Sequence, residues 1–159
     1  MSKPNKVFLD HATWLEFHPV VPAPTTGDER LAALVGYMIG DGAIALKSGD
    51  KYTKSNGETS TYRQRLTGAF YSNDRDDIVE IQQSLHALGM ALEADVKVKK
   101  VKAEHLEDGF QIQIGDKDCR LMMDSGVPCG KKTMQTFSVP EWIMNGSKEI
   151  KRAFIAALW

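Results

Sequence analysis

The chain has 159 residues, enough for one domain with a sizeable core, and its 20 basic and 21 acidic side chains leave a net charge of −1. This balance lacks the excess of Lys and Arg that is typical of nucleic-acid-binding proteins. The four histidines and two cysteines do not cluster at the spacing of a zinc site, and so few cysteines fit a reduced compartment. No apolar run is long enough to cross a membrane, so the sequence predicts a cytoplasmic protein without a membrane partner.

In chain order, the first 27 residues contain four prolines and are predicted to form an N-terminal arm or linker. The stretch Leu31–Gly42 then reads LAALVGYMIGDG, which is apolar on nearly every side and therefore predicts a buried helix. Ala32, Gly36 and Gly40 recur at every fourth position, so one side of this helix carries almost no side chain. Such a side lets a second backbone approach closely, and we expect another helix to pack there.

Asp41 stands where the predicted helix ends. A carboxylate there lies at the negative pole of the helix dipole, beside carbonyl oxygens that have no partner within the helix. Two interpretations remain open from the residues alone. The carboxylate and the Gly40 carbonyl form an oxygen-rich site that suits Mg²⁺, or Asp41 is an ordinary residue in a turn that ends the helix at a glycine.

The segment Leu34–Gly42, LVGYMIGDG, resembles the LAGLIDADG motif of intein-encoded homing endonucleases. The closing residues Ile150–Trp159 resemble the opening of a second copy, which stops before the positions that match Gly40, Asp41 and Gly42. The resemblance implies an α+β lobe of order αββαββα, with helices over one face of a curved antiparallel sheet. It also implies an endonuclease that hydrolyses phosphodiester bonds in a long double-stranded DNA site with Mg²⁺ or Mn²⁺.

The expected domain boundaries are an arm at 1–27, the endonuclease lobe at 28–146 and the start of a second LAGLIDADG helix at 147–159. The remaining elements follow from periodicity, turn residues and caps. They are a strand at Ala43–Leu46, a long mobile loop at Lys47–Thr61, a strand at Tyr62–Tyr71, a helix capped by Ser72 or Asn73 and ended by Gly89, a hairpin from Ala94–Lys102 and Phe110–Ile114, a short helix at Asp116–Asp124 and a closing helix capped by Ser147.

The resemblance assigns metal binding to Asp41, with the carbonyl of Gly40, and charge stabilisation at the phosphate to Lys132, with Lys131 as the alternate. For the two lysines, a solvated basic turn is an equally weighted interpretation. The DNA contacts are expected on strand faces and loops, from Arg63, Arg65, Lys97, Lys99, Lys100, Lys102 and Lys47. The helix interface is expected at Ala32, Gly36, Ala153 and Ala157.

Two functions from different classes stay open. The first is the nuclease, in a cytoplasmic, nucleoid-associated setting, acting on double-stranded DNA as a homodimer or with a complementary C-terminal lobe that supplies a second acid. The alternative is a non-cleaving, maturase-like or regulatory DNA- or RNA-binding module, or an inactive truncated fragment of the same fold. The intact Gly40-Asp41-Gly42 favours the nuclease, whereas the absence of a second acid favours the binding module.

Overall fold

The structure, a computed structural model, describes residues 6–7, 29–90, 98–101 and 109–159. Within these ranges there are five α-helices and one 3₁₀ turn, at Lys132–Met134. The helices are α1 (Glu29–Gly40), α2 (Arg75–Ala87), α3 (Asp116–Asp124), α4 (Glu141–Met144) and α5 (Lys148–Leu158). The strands are β1 (Lys6–Val7), β2 (Ala43–Lys47), β3 (Lys51–Thr53), β4 (Thr59–Thr61), β5 (Arg65–Ser72), β6 (Val98–Val101) and β7 (Gly109–Ile114).

Five of these strands form one antiparallel sheet in the order β1-β2-β5-β7-β6, with β5 at its centre. Along β5, Ala69 pairs with Ala43 on one side and with Gln113 on the other. The remaining two strands, β3 and β4, pair only with each other among the described residues. The order α1, β2, β5, α2, β6, β7, α3 confirms the predicted αββαββα alternation and the antiparallel α+β class.

The sheet buries one face beneath the helices because its apolar side chains alternate with polar ones. The buried sheet residues include Ile44, Leu66, Phe70, Ile112 and Ile114. The intervening positions line a groove on the opposite face, which we call the open face: Lys47, Arg65, Thr67, Tyr71, Gln111 and Gln113. The predicted arrangement of helices over one face is therefore present, and the groove with its polar and charged side chains lies on the other face.

Helix α1 is central to the core, as its apolar circumference predicts. Leu34, Val35 and Met38 are fully buried. On its small-residue side, α5 packs so closely that a Cβ added to Gly36 would lie 2.5 Å from the carbonyl oxygen of Phe154 and 3.0 Å from the Cβ of Ala157. The close partner of α1 in this structure is thus the last helix of the same chain.

The prediction of a mobile loop at Lys47–Thr61 is wrong, because β3 and β4 form a hairpin there. The rings of Tyr52 and Tyr62 stack with their centroids 4.3 Å apart, and Lys54 N–H donates to the Glu58 carbonyl across the turn at 2.8 Å. Tyr52 and Ser60 at the centre of the hairpin are only partly buried and the other strand residues are exposed, so no fully buried face imposes an apolar alternation. Periodicity therefore gave no signal for it.

Two boundaries also differ from the prediction. Strand β5 begins at Arg65 rather than Tyr62. The cap of α2 is Asp74, whose side chain accepts a hydrogen bond from Asp76 N–H at 2.8 Å, and not Ser72 or Asn73. The Ser72 hydroxyl instead accepts from Asp74 N–H and donates to the Asp77 carboxylate, because it still belongs to β5.

Several predictions fall outside the described residues, namely most of the arm at 1–27 and the lysines Lys97 and Lys102. Lys99 and Lys100 lie in β6, where their backbones pair with Gln111 and Phe110. In the part of the chain that the structure describes, no helix has both the length and the apolar character needed to span a lipid bilayer.

Candidate active site and nucleic-acid interface

The end of α1 leads directly into the sheet. The helix stops at Gly40, Asp41 is exposed, Gly42 is buried and Ala43 begins β2. The turn is tight, since Asp41 N–H and Gly42 N–H both donate to the Tyr37 carbonyl at 3.1 Å. A Cβ at Gly42 would lie 2.7 Å from the Cα of Met38, so a glycine is needed for this close approach. The turn therefore presents one carboxylate to solvent where the core helix meets the sheet.

Lys132 closes this helix end from the other side. Its ammonium nitrogen, Nζ, lies 3.1, 2.6, 2.8 and 2.7 Å from the carbonyl oxygens of Met38, Ile39, Gly40 and Gly42. Three of these oxygens belong to the last turn of α1, whose carbonyls lack partners within the helix. The ammonium has three N–H donors for four acceptors, so at least one bond is shared.

The electrostatics of the site follow from this geometry. Burial lowers the pKa of Lys132, and the charge of the nearby Asp41 opposes that shift. A cation at the C-terminal end of a helix is also favoured by the helix dipole. The structure therefore brings Asp41, Gly40 and Lys132 together, whereas Lys131 is exposed and its side chain makes none of these four contacts.

The segment that carries Lys132 is fixed to β2. Gly130 N–H donates to the Ile44 carbonyl at 2.9 Å, and the thiol of the buried Cys129 lies 3.7 Å from the same oxygen. Gly130 has a φ of +91°, a conformation that favours glycine, and this turn directs the chain into the 3₁₀ turn at Lys132–Met134. The position of Lys132 is thus set by the backbone of the same strand that follows Asp41.

This chain offers few ligands for a metal. Within the described ranges, no three His, Cys, Asp or Glu side chains lie close enough together to hold one. Asp41 contributes a carboxylate, and the Gly40 oxygen already accepts from Lys132 at 2.8 Å. Mg²⁺ is commonly held by one or two protein carboxylates, with the remaining ligands supplied by substrate phosphates and water. Asp41 fits that kind of site, but not a site built from protein ligands alone.

The open face carries the polar and cationic side chains expected of a nucleic-acid surface. Lys47 and Arg65, which are directly paired across β2 and β5, lie at one end of it. The Gln111 amide lies 3.4 Å from the Tyr71 hydroxyl farther along. Amide and guanidinium groups can form paired hydrogen bonds with base edges, and cations neutralise phosphates.

A second cavity adjoins the open face where β5 begins, and we call it the strand-end cavity. Its lining consists of Lys47, Ser48, Gly49, Asp50, Tyr62, Arg63, Gln64, Arg65, Asp116 and Arg120. Three of the predicted DNA-binding residues, Lys47, Arg63 and Arg65, therefore lie together here. Asp41 and Lys132 line neither this cavity nor the open face.

Sequence reasoning missed Asp116 and Arg120 in this cavity. The Arg120 guanidinium donates to Asp116 Oδ2 at 2.6 Å, while Asp116 Oδ1 accepts from Leu66 N–H at 2.8 Å. Burial alone would raise the pKa of Asp116, but these hydrogen bonds and the charges of Arg120 and Arg63 hold it below its usual range. The signal in the sequence was the spacing of four between an acid and a base on one helix.

No family model matches the sequence. Among curated proteins, the tRNA-splicing ligase RtcB of Methanocaldococcus jannaschii is 32% identical over 139 residues, a match that covers 81% of this chain and 13% of that protein. From the same organism, the replication factor C small subunit is 27% identical, covering 85% of this chain and 7% of that protein. The DNA-directed RNA polymerase subunit Rpo1N is 24% identical, and the match covers 80% of this chain and 9% of that protein. The chain thus spans about an eighth, or less, of these relatives.

Among solved structures, the chain is similar to the homing endonuclease I-DmoI. In its complex with DNA and Mn the TM-score is 0.44 at 17% identity, and the match covers 82% of this chain and 59% of that one. In the complex with DNA and Ca the TM-score is 0.45 at 16% identity, and the match covers 82% of this chain and 55% of that one.

Proposed function

We propose that this chain is a LAGLIDADG lobe of the intein-encoded type, which binds double-stranded DNA and hydrolyses its phosphodiester bonds with Mg²⁺ or Mn²⁺. The observation that carries the proposal is that Asp41 and Lys132 both lie at the C-terminal end of α1. A solvent-exposed carboxylate and a half-buried ammonium converge on one helix end, directly before β2. A purely structural helix end needs a cap, but it does not need an adjacent exposed acid.

The open face supports the choice of substrate. The chain as a whole carries a net charge of −1, yet Lys47 and Arg65 are placed together on the face that the helices leave uncovered. Acidic residues are found elsewhere, for instance Asp74, Asp76 and Asp77 at the start of α2. A duplex lying along the open face would meet cations first, which favours association.

The curated relatives match this chain over a segment that is short relative to their own length. Segments of an RNA ligase, a polymerase subunit and a replication factor subunit, which differ in function by name, each match at least 80% of this chain while making up 13% or less of their own lengths. A module present in three such different proteins is independent of what each host does. We therefore propose that the matched unit is an inserted one, and that the ligase activity of RtcB belongs to the rest of that protein.

In the proposed reaction, Asp41 would hold the divalent cation together with phosphate oxygens and water. When bound, such a cation supplies a Lewis acid for the phosphate and lowers the pKa of a bound water. Lys132 adds a positive charge beside the same helix end, which stabilises the charge that develops on the phosphate. The open face holds the duplex in register, and Asp41 acts on the strand that lies beside it.

To test the proposal, the protein is incubated with a plasmid library that carries random inserts, in the presence of Mg²⁺, Mn²⁺ or EDTA. We expect metal-dependent nicking by the wild type and none by Asp41→Asn, with DNA affinity within about twofold of the wild type. Asp76→Asn, which changes an exposed acid at the start of α2, is the matched control and should nick normally. If Asp41→Asn cleaves like the control, Asp41 has no part in the reaction.

A second candidate, a module that binds DNA or RNA without cutting it, is favoured by one observation. Lys132 already contacts the Gly40 carbonyl, and Asp41 is not part of a cluster of three ligands within the described residues. In the same assay this candidate gives a shift in mobility with no nicking in either metal. It also gives wild-type behaviour for Asp41→Asn.

A further inference from the structure

The strand-end cavity has the charge of an anion site. Four cationic side chains, Lys47, Arg63, Arg65 and Arg120, face two carboxylates, Asp50 and Asp116, around a volume of about 640 Å³. Of the two carboxylates, Asp116 is already engaged by Arg120 and by Leu66 N–H. The lining therefore has a surplus of positive charge and several N–H donors, which suits a phosphate group.

Backbone contacts between Tyr62 and the segment Gly49–Asp50 hold the two walls of the cavity together. Tyr62 N–H donates to the Asp50 carbonyl at 2.9 Å, and a Cβ at Gly49 would overlap the Tyr62 carbonyl oxygen, so the two sides of the opening touch through a glycine. Tyr62 is 59% exposed, and its ring stacks on Tyr52 in the hairpin. The hairpin thus holds an aromatic ring at the rim of the cationic cavity.

The cavity is also continuous with the open face. Lys47 and Arg65 line both, whereas Arg63 and Arg120 line the cavity alone. A nucleic-acid backbone that runs along the open face past Lys47 and Arg65 would therefore reach Arg63 next. This continuity distinguishes the cavity from a scattered set of surface cations.

We infer that the strand-end cavity binds a phosphate group of the nucleic-acid backbone, with Arg63 as its principal ligand and Arg120 held in place by Asp116. The inference rests on the proposed function, because it extends the path of the duplex beyond the open face. In this arrangement Asp116 is a positioning residue, and Tyr62 contacts the sugar or base at the rim of the cavity. Removal of one phosphate contact lowers the slope of log K against log salt by about 0.9 for duplex DNA.

The test measures the affinity of a fluorescently labelled duplex at several salt concentrations. The variants are Arg63→Ala and Arg63→Lys, and Arg75→Ala is the matched control because Arg75 lies at the start of α2 and lines neither cavity. We expect Arg63→Ala to lose about one unit of salt slope, Arg63→Lys to retain most of it and Arg75→Ala to retain all of it. Equal slopes for Arg63→Ala and Arg75→Ala would overturn the inference.

A second arm uses inorganic phosphate alone and distinguishes a free anion from the backbone of DNA. Thermal unfolding is followed in phosphate and in chloride at equal ionic strength, and phosphate should raise the Tm of the wild type but not of Arg63→Ala. If the wild type binds no duplex, the proposed function fails, while selective protection by phosphate still supports the cavity. If the duplex binds but neither measurement depends on Arg63, the cavity assignment fails and the proposed function stands.

Discussion

Lys132→Met is the substitution that most directly tests whether the Lys132 ammonium stabilises the C-terminal end of α1. Methionine keeps much of the length and apolar stem of lysine but removes the ammonium that contacts the carbonyls of Met38, Ile39, Gly40 and Gly42. Those oxygens then have only water to replace it, at a site that is about half-buried. We therefore expect the variant to fold, with a lower free energy of unfolding.

The magnitude follows from the number and type of contacts. A hydrogen bond to a charged group contributes about 1.5–3 kcal/mol, but bonds to a single ammonium are not additive. The favourable interaction with the helix dipole adds about 0.3–1 kcal/mol, and the desolvation that lowers the pKa of Lys132 opposes both. Together these give an expected loss of about 2–3 kcal/mol, which corresponds to a decrease in Tm of roughly 5–10 °C for a chain of this size.

The assay is unfolding in urea with linear extrapolation, at neutral pH and fixed salt. Lys151→Met is the matched control, since Lys151 is exposed in α5 and its loss should change the free energy of unfolding by less than about 0.5 kcal/mol. Equal stabilities for the two variants would refute the argument that Lys132 closes the helix. Loss of nicking by Lys132→Met without loss of stability would instead assign it a role at the phosphate only.

Three further outcomes are expected. Gly36→Leu should lower the free energy of unfolding by about 3 kcal/mol or more in urea, because its Cβ would approach the Phe154 carbonyl to 2.5 Å, whereas Gly115→Ala, with nothing within 4 Å, should not. If Gly36→Leu has the same free energy of unfolding as the wild type, α1 and α5 do not pack closely at Gly36. Asp116→Asn should remove one contribution to the loss of stability in acid. The folded pKa of Asp116 is depressed, so its stabilising contribution is complete above the unfolded value of about 3.9 and is lost as pH falls through the folded value. In urea titrations from pH 6 down to pH 2, the wild type should therefore lose its stability advantage over Asp116→Asn below about pH 4, so that the two curves converge, and parallel curves would contradict this assignment. Gly49→Ala should loosen the hairpin, because its Cβ overlaps the Tyr62 carbonyl, and faster amide hydrogen exchange at β3 and β4 would report it; unchanged protection would show that the loop adjusts.

The elements that the sequence predicted well are those whose burial follows a period. The continuous apolar run of α1, the Ile112 and Ile114 alternation of β7 and the Asp116–Asp124 bounds of α3 are all present in the structure. Each buries a face against the core, and burial is the physical cause of the pattern. The αββαββα order could therefore be predicted from residues alone.

The features that it missed leave no apolar period in the sequence. The β3–β4 hairpin is held by its own backbone pairing and by the Tyr52–Tyr62 stack, neither of which imposes an apolar period. The contact of Lys132 with the end of α1 joins positions more than 90 residues apart. The motif predicted that Asp41 and Lys132 matter, but only the fold shows that the lysine caps the helix that ends beside the acid.

The contact at Gly36 also limits the substitutions that this position can accept. With the Phe154 carbonyl directly over it, position 36 has room for hydrogen and little else, whereas Ile155 in α5 and Trp159 just after it are 55% and 99% exposed. Random mutagenesis with selection for folding should leave Gly36 nearly invariant while Ile155 and Trp159 accept many residue types. The number of substitutions that each position in this pair of helices accepts is thus set by how near one backbone comes to the other.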